Sequence, residues 1–241
     1  MKAMILAAGK GTRMGSLTEK QPKALVRFNG KPMIENLIVR LKNYGYNRLL
    51  INIHHFGKQI IDFVKENNNF GIDITFSDER NELLDTGGAV LKAASFFQGT
   101  EPVLIHNVDI WTDLDLKVFA QWFQKSNAVA GLVVKERRSS RKLLFDSRMQ
   151  LTGWKNSKTG EIKISGNNRT GTKEYAYSGI WMCRPEFIPL IPYTGCFSII
   201  DAWLAIAKKH KISGYADKNS QWFDLGSPEK LKNANRLIAE D

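Results

Sequence analysis

The hydrophobic pattern of the first 105 residues alternates between short apolar runs and amphipathic stretches. A short apolar run bounded by polar residues or glycine is typical of a strand that is buried on both faces. Apolar positions that recur every three or four residues are typical of a helix that packs on one side. These patterns predict strands over residues 3–8, 48–53, 72–76 and 102–105, and helices over residues 33–41, 60–64 and 86–97.

The pattern is less regular beyond residue 105. Residues 156–174 are polar and rich in Gly, Asn, Thr and Lys, which is typical of a surface loop. Ser227 and Pro228 mark a helix start, because serine caps the first N–H groups and proline suits the first turn. The predicted elements are strands over residues 129–134, 174–182 and 221–225, a hairpin from 143–145 and 150–154, and helices over residues 198–209 and from 227 onward.

This order of elements indicates the fold class. Strands that alternate with helices predict βαβ units with right-handed crossovers. We therefore predict an α/β fold with a Rossmann-like, mainly parallel sheet that is flanked by helices. No linker or internal repeat divides the sequence, so we expect a single domain over residues 1–241. Ligands of such sheets bind outside the carboxyl ends of the strands, and the chemistry should lie there.

The charge of the chain narrows the choice of partners only a little. Hydrophobic residues make up 43% and charged residues 24%, which is ordinary for a globular protein. The formal net charge of +11 is high. Nucleic acid, an anionic membrane, an acidic substrate or a simply solvated basic surface would each account for it. The lysines and arginines are spread along the whole chain, so the charge alone selects none of these.

The cysteines and the apolar runs indicate a compartment. Cys183 and Cys196 lie in no Cys-x-x-Cys pair and at no zinc spacing, which favours free thiols in a reducing compartment. The apolar run before the first glycine is too short for a signal peptide, and no run approaches the length of a membrane span. We therefore expect a cytoplasmic protein without a membrane partner.

A glycine turn directly follows the first predicted strand. Gly9 and Gly11 permit a tight turn whose backbone N–H groups can face an anion. Thr12 adds a hydroxyl donor, Arg13 adds a bidentate cation, and Lys23 follows after a rigid proline. The spacing fits neither a Walker A loop nor the Rossmann fingerprint. Two cations beside a glycine turn nevertheless predict a polyphosphate ligand.

Five motifs together resemble the signature of the sugar-1-phosphate nucleotidyltransferase family. They are Leu6-Ala-Ala-Gly-Lys-Gly-Thr-Arg-Met14 with Pro22-Lys23, Asp85-Thr-Gly-Gly88, Val108-Asp-Ile-Trp-Thr-Asp113, Tyr177-Ser-Gly-Ile180 and Trp222-Phe-Asp-Leu-Gly226. The chain departs from the family pattern at Gly15-Ser16, where Arg-Pro is frequent, at Ala24, where Pro is frequent, and at Val108, where Gly is usual. None of these changes removes a charged group, although a side chain at position 108 could narrow the approach to the ligand.

The resemblance implies a fold of the nucleotide-diphospho-sugar transferase type and a role for each motif. It implies a nucleotide-binding half over residues 1–110 and a sugar-phosphate-binding half over residues 111–241. Arg13 and Lys23 would be catalytic. The implied nucleotide-binding residues are Leu6, Ala7, Ala8, Gly9, Gly11, Thr12, Arg13, Lys23, Thr86, Gly87 and Gly88, and the implied sugar-phosphate-binding residues are Asn107, Glu174, Tyr177, Ser178 and Gly179.

Two aspartates are candidate metal ligands. Asp109 comes directly after a predicted buried strand, where a carboxylate can hold Mg²⁺ through oxygen or can cap a turn. Asp224 lies between apolar neighbours and needs a partner, which could be a metal ion, a basic side chain or a helix end. The resemblance implies that both aspartates bind one Mg²⁺ or Mn²⁺ ion, which suits a nucleoside triphosphate.

Within the family the chain is most similar to the compact N-acetylmuramate-1-phosphate uridylyltransferases of cell-wall peptidoglycan recycling. The resemblance implies transfer of a uridylyl group from UTP to N-acetylmuramic acid 1-phosphate, with release of pyrophosphate. Arg141, Lys155 and Arg169 are basic residues available to the acceptor. The alternatives are a guanylyltransferase for mannose- or heptose-1-phosphate, a phosphocholine cytidylyltransferase, and a basic nucleic-acid-binding or regulatory protein. We expect no nucleic-acid partner, and a monomer or small homo-oligomer.

Overall fold

The computed structural model describes residues 1–165 and 172–239. Its α-helices are α1 (Met33–Asn43), α2 (Gly57–Glu66), α3 (Asp85–Lys92), α4 (Leu116–Lys125), α5 (Ile199–Ile206) and α6 (Pro228–Ala239). Its strands are β1 (Lys2–Leu6), β2 (Arg27–Phe28), β3 (Lys31–Pro32), β4 (Arg48–Ile53), β5 (Asp73–Asp78), β6 (Val103–Asn107), β7 (Ile110–Thr112), β8 (Ala130–Lys135), β9 (Arg141–Phe145), β10 (Leu151–Asn156), β11 (Glu161–Ile164), β12 (Lys173–Cys183), β13 (Ile212–Ala216) and β14 (Trp222–Asp224). No helix in the described ranges is long and apolar enough to span a bilayer.

The chain divides into two compact units, and each unit is assembled from separate stretches of sequence. Unit 1 comprises the described residues of Met1–Leu83, Ile105–Asp113 and Gln221–Asp241. Unit 2 comprises those of Leu84–Leu104 and Leu114–Ser220. The expectation of a single domain with halves at 1–110 and 111–241 stays a prediction.

Unit 1 contains the predicted parallel sheet. β4 pairs in parallel with β1 on one side and with β5 on the other, and the end of β6 lies beside β1. The middle residues of β1 are fully buried, as expected for a strand covered on both faces. Helix α1 buries Met33, Ile34, Leu37, Ile38 and Leu41, which recur at helical spacing on one side. The patterns of the first eighty residues therefore predicted this unit well.

Strand pairing in unit 2 is mainly antiparallel, and β9 with β10 confirms the predicted hairpin of residues 143–145 and 150–154. β12 pairs antiparallel with β8 and with β9, and β9, β10 and β11 continue antiparallel, while β13 pairs in parallel with β8. Short turns join β9 to β10 and β10 to β11, and a short turn can only join antiparallel strands. The α/β class and the transferase fold type are confirmed, and the parallel pairs are concentrated in unit 1.

Three further predictions need correction. Residues 156–174 are not a continuous loop, because Glu161–Ile164 forms β11 on the edge of β10. Part of that stretch, with Arg169, lies outside the described residues. Helix 86–97 ends at Lys92, and Ala94–Phe97 forms a separate 3-10 turn. The predictions omitted β7, β13 and α4, although Asp115 caps α4 by accepting hydrogen bonds from the N–H groups of Lys117 and Val118.

Candidate active site

The glycine loop, residues 7–14, leaves the carboxyl end of β1 in unit 1. Gly11 has φ of 68°, a left-handed conformation that glycine adopts without strain. A Cβ at Gly11 would lie 3.0 Å from Thr18 Cγ2 and 3.3 Å from Lys23 Cβ, so the loop packs closely on the residues that follow it. The Thr18 hydroxyl donates to the carbonyl oxygen of Gly11 at 3.1 Å. A Cβ at Gly9 would meet no protein atom within 4 Å, which leaves this side of the loop open to a ligand.

Lys23 is brought from the loop region to Asp109. The lysine is only 9% exposed, and its ammonium group forms an ion pair with Asp109 Oδ2. Asp109 follows β6, whose buried residues fix the strand, and the Val108 N–H donates to Leu6 O at 3.1 Å. The end of β1 and the turn after β6 are therefore held side by side. Lys23 and Asp109 meet at the carboxyl ends of these strands, where ligands of such sheets bind.

Asp224 reaches the same place through a short strand pair. β14 pairs antiparallel with β7, which sets Asp224 opposite Ile110. The Leu225 N–H donates to Asp109 O at 2.8 Å, and this bond ties the two motifs together. Two aspartates that are far apart in sequence thus become neighbours because β7, which directly follows Asp109, pairs with the strand that ends in Asp224.

Gly226 marks the centre of this cluster. A Cβ at Gly226 would lie 2.7 Å from Asp224 Oδ1, 3.2 Å from Asp109 Oδ2 and 3.2 Å from Arg13 Nη2. Both carboxylates and the guanidinium group therefore point toward one small space that only glycine leaves open. The position belongs to the Trp-Phe-Asp-Leu-Gly motif, and its role follows from this crowding.

Lys230 is a member of the cluster that sequence analysis missed. It lies in α6, and its ammonium group donates to Asp224 Oδ2. Burial of Asp224 raises the pKa of its carboxyl, but hydrogen bonds from Lys230 and from the Gly226 N–H, with the charges of Lys230 and Lys23, outweigh it. The pKa of Asp224 is consequently below its ordinary value, and the group is an anion at neutral pH. The signal in the sequence was a lysine in the first turn of the helix after the motif.

The two carboxylates fit a magnesium ion that is shared with a nucleotide. Magnesium is usually held in proteins by one or two carboxylates together with substrate phosphates and water. In the described part of the chain no cluster of three or more His, Cys, Asp or Glu side chains could hold a metal ion. The donor set of Asp109 and Asp224, facing the space at Gly226, suits this mode and not an all-protein cage.

Val108 and His106 lie behind the cluster. Val108 is buried and lines a cavity of about 280 Å³, together with His106 and residues of α1. Burial lowers the pKa of His106 to about 4, and its Nδ1 lies 2.8 Å from Asn107 O. His106 is thus a neutral residue of the core at neutral pH. Asn107 lies at the end of β6 in unit 1.

The Thr-Gly-Gly motif lies at the start of α3 in unit 2. The N–H groups of Gly87 and Gly88 both donate to Phe197 O, and the Thr86 hydroxyl accepts from the Ile199 N–H. A Cβ at Gly87 would lie 2.3 Å from the Phe197 ring. The two glycines therefore allow close packing of the loop before α5. Their N–H groups are engaged inside the protein, and the assignment of Thr86, Gly87 and Gly88 to the nucleotide stays a prediction.

The predicted acceptor residues of unit 2 lie on β12. The pairing of β12 with β8 is irregular between Tyr177 and Trp181, and Gly179 has φ of 79° within this irregularity. Strand bulges of this kind redirect side chains and are frequent beside active sites. Ser178 is fully buried, while Glu174 forms an ion pair with Lys155.

Comparisons with known proteins identify the family of the chain. The family model "Nucleotidyl transferase" matches residues 2–142. N-acetylmuramate alpha-1-phosphate uridylyltransferases from Caulobacter vibrioides and Neisseria meningitidis are 28% and 29% identical, covering 99% and 98% of this chain and 97% and 98% of theirs. A mannose-1-phosphate guanyltransferase from Yarrowia lipolytica is 26% identical, and the match covers 95% of this chain and 61% of that protein.

Solved structures show the same fold. HddC from Yersinia pseudotuberculosis, complexed with GMP-PN, has a TM-score of 0.76 at 24% identity and covers 98% of this chain and 99% of its own. A putative glucose-1-phosphate thymidylyltransferase from Bacillus anthracis has a TM-score of 0.82 at 19% identity, covering 100% and 96%. The chain belongs to the nucleotidyl transferase family, and it is an enzyme of the sugar-1-phosphate nucleotidyltransferase class, which releases pyrophosphate.

Proposed function

We propose that this enzyme transfers a uridylyl group from UTP to N-acetylmuramic acid 1-phosphate, giving a UDP-sugar and pyrophosphate. The observation that carries the transfer chemistry is the convergence of Arg13, Lys23, Asp109 and Asp224 in unit 1. The choice of uracil and of the muramic acid derivative rests on the two uridylyltransferases that match over nearly their whole length. We further propose that the enzyme acts in peptidoglycan recycling in the cytoplasm.

The glycine loop and Arg13 provide the binding site for the triphosphate. Gly9 is open on its ligand side, and Arg13 is exposed beside the Gly226 space. A guanidinium group forms paired hydrogen bonds to phosphate oxygens, so Arg13 holds the pyrophosphate that leaves. Thr12, at the start of the turn after Gly11, adds a hydroxyl donor.

Lys23 acts on the phosphate that is transferred. A phosphate oxygen of the acceptor attacks the α-phosphorus in line, a new P–O bond forms, and the bond to the leaving pyrophosphate breaks. Negative charge gathers on the α-phosphate oxygens during this step, and a fixed ammonium group stabilises it there. Lys23 is already buried and oriented by Asp109, so little reorganisation is needed. The acceptor phosphate is an anion already, and no separate base is required.

Asp109 and Asp224 would hold Mg²⁺ or Mn²⁺, because both carboxylates face the same small space. When bound, such a cation neutralises phosphate charge and orients the reacting oxygens. Despite burial, the hydrogen bond from Lys230 holds the pKa of Asp224 below its ordinary value, so this carboxylate is available as a ligand.

We propose that the acceptor contacts the β12 residues Glu174, Tyr177, Ser178 and Gly179. The assignment of Asn107 to the sugar phosphate stays a separate prediction from the sequence. The irregular pairing at Tyr177–Trp181 supports a role for this part of β12. Lys155 is already paired with Glu174, so the two would act on a sugar together. The assignment of Thr86, Gly87 and Gly88 to the nucleotide stays a prediction from the sequence: the N–H groups of both glycines donate to Phe197 O, and a Cβ at Gly88 would lie 2.2 Å from Gly195 O.

The test is a pyrophosphate-release assay with UTP, GTP, CTP and dTTP, each combined with N-acetylmuramic acid, glucose, mannose and heptose 1-phosphates and with phosphocholine. We expect the highest kcat/KM for UTP with N-acetylmuramic acid 1-phosphate. The guanyltransferase relative makes GTP with mannose 1-phosphate the second candidate. A preference for that pair would replace the uridylyl proposal, and an absence of pyrophosphate release with every pair would contradict the transfer proposal.

A further inference from the structure

The backbone pairing of β1 with β4 ends just before the glycine loop. β1 pairs with β4 in parallel up to Leu6, which lies opposite Asn52. Ala7 and Ala8 continue past this point and remain 4% and 6% exposed. Buried N–H groups that leave a sheet ladder need another acceptor, because an unsatisfied buried donor costs free energy.

The side chain of Asn52 supplies that acceptor. Its Oδ1 accepts from the Ala7 N–H at 2.6 Å and from the Ala8 N–H at 3.3 Å. Asn52 is 3% exposed, within a strand whose other inner residues are apolar. The amide therefore extends the pairing of β1 with β4 past the last backbone pair. It holds the two residues from which the glycine loop departs.

Glu79 sets the orientation of this amide. Its Oε1 accepts from Asn52 Nδ2 at 2.8 Å, and its own backbone N–H donates to Ile53 O at 2.8 Å. Glu79 is 1% exposed and lies just beyond the end of β5. An asparagine amide has one acceptor end and one donor end, so a carboxylate on one side turns its oxygen toward the other side. The contacts form a line across the ends of β5, β4 and β1.

We propose that Asn52 and Glu79 are a positioning pair for nucleotide binding in this enzyme. They touch no reacting atom. They fix Ala7 and Ala8, and thereby the direction in which Gly9 and the following N–H groups face the triphosphate. The inference rests on the proposed function, because it assigns the glycine loop to the nucleotide.

The pair can be tested by exchanging the amide of residue 52 and the carboxylate of residue 79. In Asn52→Asp the new carboxylate faces that of Glu79, and we expect the Kd for UTP to rise about tenfold, since two buried carboxylates in contact disfavour each other. In the double variant Asn52→Asp/Glu79→Gln the hydrogen bond between residues 52 and 79 is restored with donor and acceptor reversed, and the oxygen at residue 52 still accepts from Ala7 and Ala8. We expect it to recover UTP binding to within about threefold of the wild type. Glu79→Gln alone can still accept from Asn52 and should bind UTP nearly normally.

Asn52→Leu removes the acceptor, and we expect its Kd for UTP to rise about tenfold or more. Binding is measured by calorimetry with UTP and GTP, and the KM for the sugar 1-phosphate is measured alongside. Only the nucleotide affinity should change in a positioning variant. Circular dichroism melting identifies any variant that fails to fold, and the comparison of the exchange variant with Asn52→Asp then decides. Ile74→Val, a buried change on β5 opposite Leu49 instead of Asn52, is the matched control.

Two results would overturn the positioning pair. The first is wild-type affinity for UTP in a folded Asn52→Leu, and the second is an exchange variant no better than Asn52→Asp. Either can occur while the wild-type enzyme still binds UTP and releases pyrophosphate, so it leaves the proposed function intact. A wild-type chain that binds neither UTP nor GTP would overturn both proposals together.

Discussion

The expected roles of single residues in the cluster of unit 1 follow from their burial and from their partners. Lys23 is almost buried and paired, whereas Arg13 is exposed beside the same space. A buried, oriented cation suits the charge that develops during transfer, and an exposed one suits the capture of a substrate. The two cations should therefore respond differently to mutation.

Replacement of Lys23 by alanine should lower kcat more than it raises the KM for the nucleotide. We expect a loss of about 10²-fold in kcat, because the ammonium group acts mainly on the crowded α-phosphate. Arg13→Ala should affect KM and kcat together. Steady-state kinetics at saturating acceptor separates these effects. A Lys23→Ala enzyme with altered KM and normal kcat would show that Lys23 acts in ground-state binding.

Gly9→Ala tests the open side of the glycine loop. The new methyl group meets no protein atom within 4 Å, and Gly9 is not in the left-handed conformation. The free energy of unfolding should therefore change by less than about 0.5 kcal/mol. The KM for the nucleotide should rise about tenfold, since the methyl group occupies the ligand side. Gly11→Ala is the contrast, because it should also destabilise the protein; an unchanged KM in Gly9→Ala would contradict the assignment of the loop.

His106 should make folding stability depend on pH. Its pKa is about 4 in the folded protein and near 6.5 when unfolded, so the unfolded chain binds more protons between these values. The contribution of His106 to the free energy of unfolding is fully present above pH 6.5. It is lost as the pH falls toward 4, by up to about 1.4 kcal/mol per pH unit. Urea unfolding at several pH values should show a shallower dependence in His106→Gln. An identical slope in both proteins would refute the burial argument.

At the scale of elements, the site depends on short pieces of structure. β7 and β14 are three residues each, yet their pairing brings Asp224 to Asp109. Helix α6 then adds Lys230 to the same carboxylate. A lysine bound to a metal ligand competes with the metal ion, and this competition can be measured.

Lys230→Met should strengthen metal binding. The change removes a positive charge and frees Asp224 Oδ2, so we expect the Kd for Mn²⁺ to fall severalfold. Titration of the metal into the protein, followed by electron paramagnetic resonance, measures this without catalysis. Lys232→Met removes an exposed charge from the same helix and is the control. Weaker Mn²⁺ binding in Lys230→Met would mean that Lys230 supports the ligand geometry instead.

At the scale of the whole molecule, we expect the fold to be stable without the metal ion that catalysis requires. Each candidate ligand carboxylate is already balanced by a lysine, so the fold does not need a cation to neutralise it. The core of unit 1 is apolar and lies beneath the site. Chelation should consequently abolish catalysis and leave the stability of the fold nearly unchanged.

EDTA should abolish pyrophosphate release while leaving the thermal midpoint within about 2 °C of its original value, as expected for a metal ion that binds with the substrate. Asp109→Asn and Asp224→Asn should each lower the rate by about 10²-fold or more. Differential scanning calorimetry and the release assay measure the two effects. Full activity in EDTA, or in either variant, would exclude the proposed metal ligands.

The sequence alone indicated the elements that follow from local apolar spacing and the candidate residues that lie in family motifs. β1, β4 and α1 were predicted because apolar spacing reports directly on which faces are buried. Arg13, Lys23, Asp109 and Asp224 were selected because each lies in a motif or directly after a strand, and their roles stay predictions. The α4 cap at Asp115 was also present in the sequence, and its omission was a failure to apply a known signal.

Only the tertiary structure decided how these residues act together. The β7–β14 pairing joins segments more than a hundred residues apart, and no local pattern in three-residue strands specifies a distant partner. The same holds for Asn52, a single polar residue in an apolar strand, whose role depends on where β1 ends and where Glu79 lies. Lys230 and the engaged N–H groups of Gly87 and Gly88 likewise follow from packing. Hydrogen bonds and charge pairs between distant segments depend on the folded coordinates, whereas hydrophobic periodicity is written along the chain.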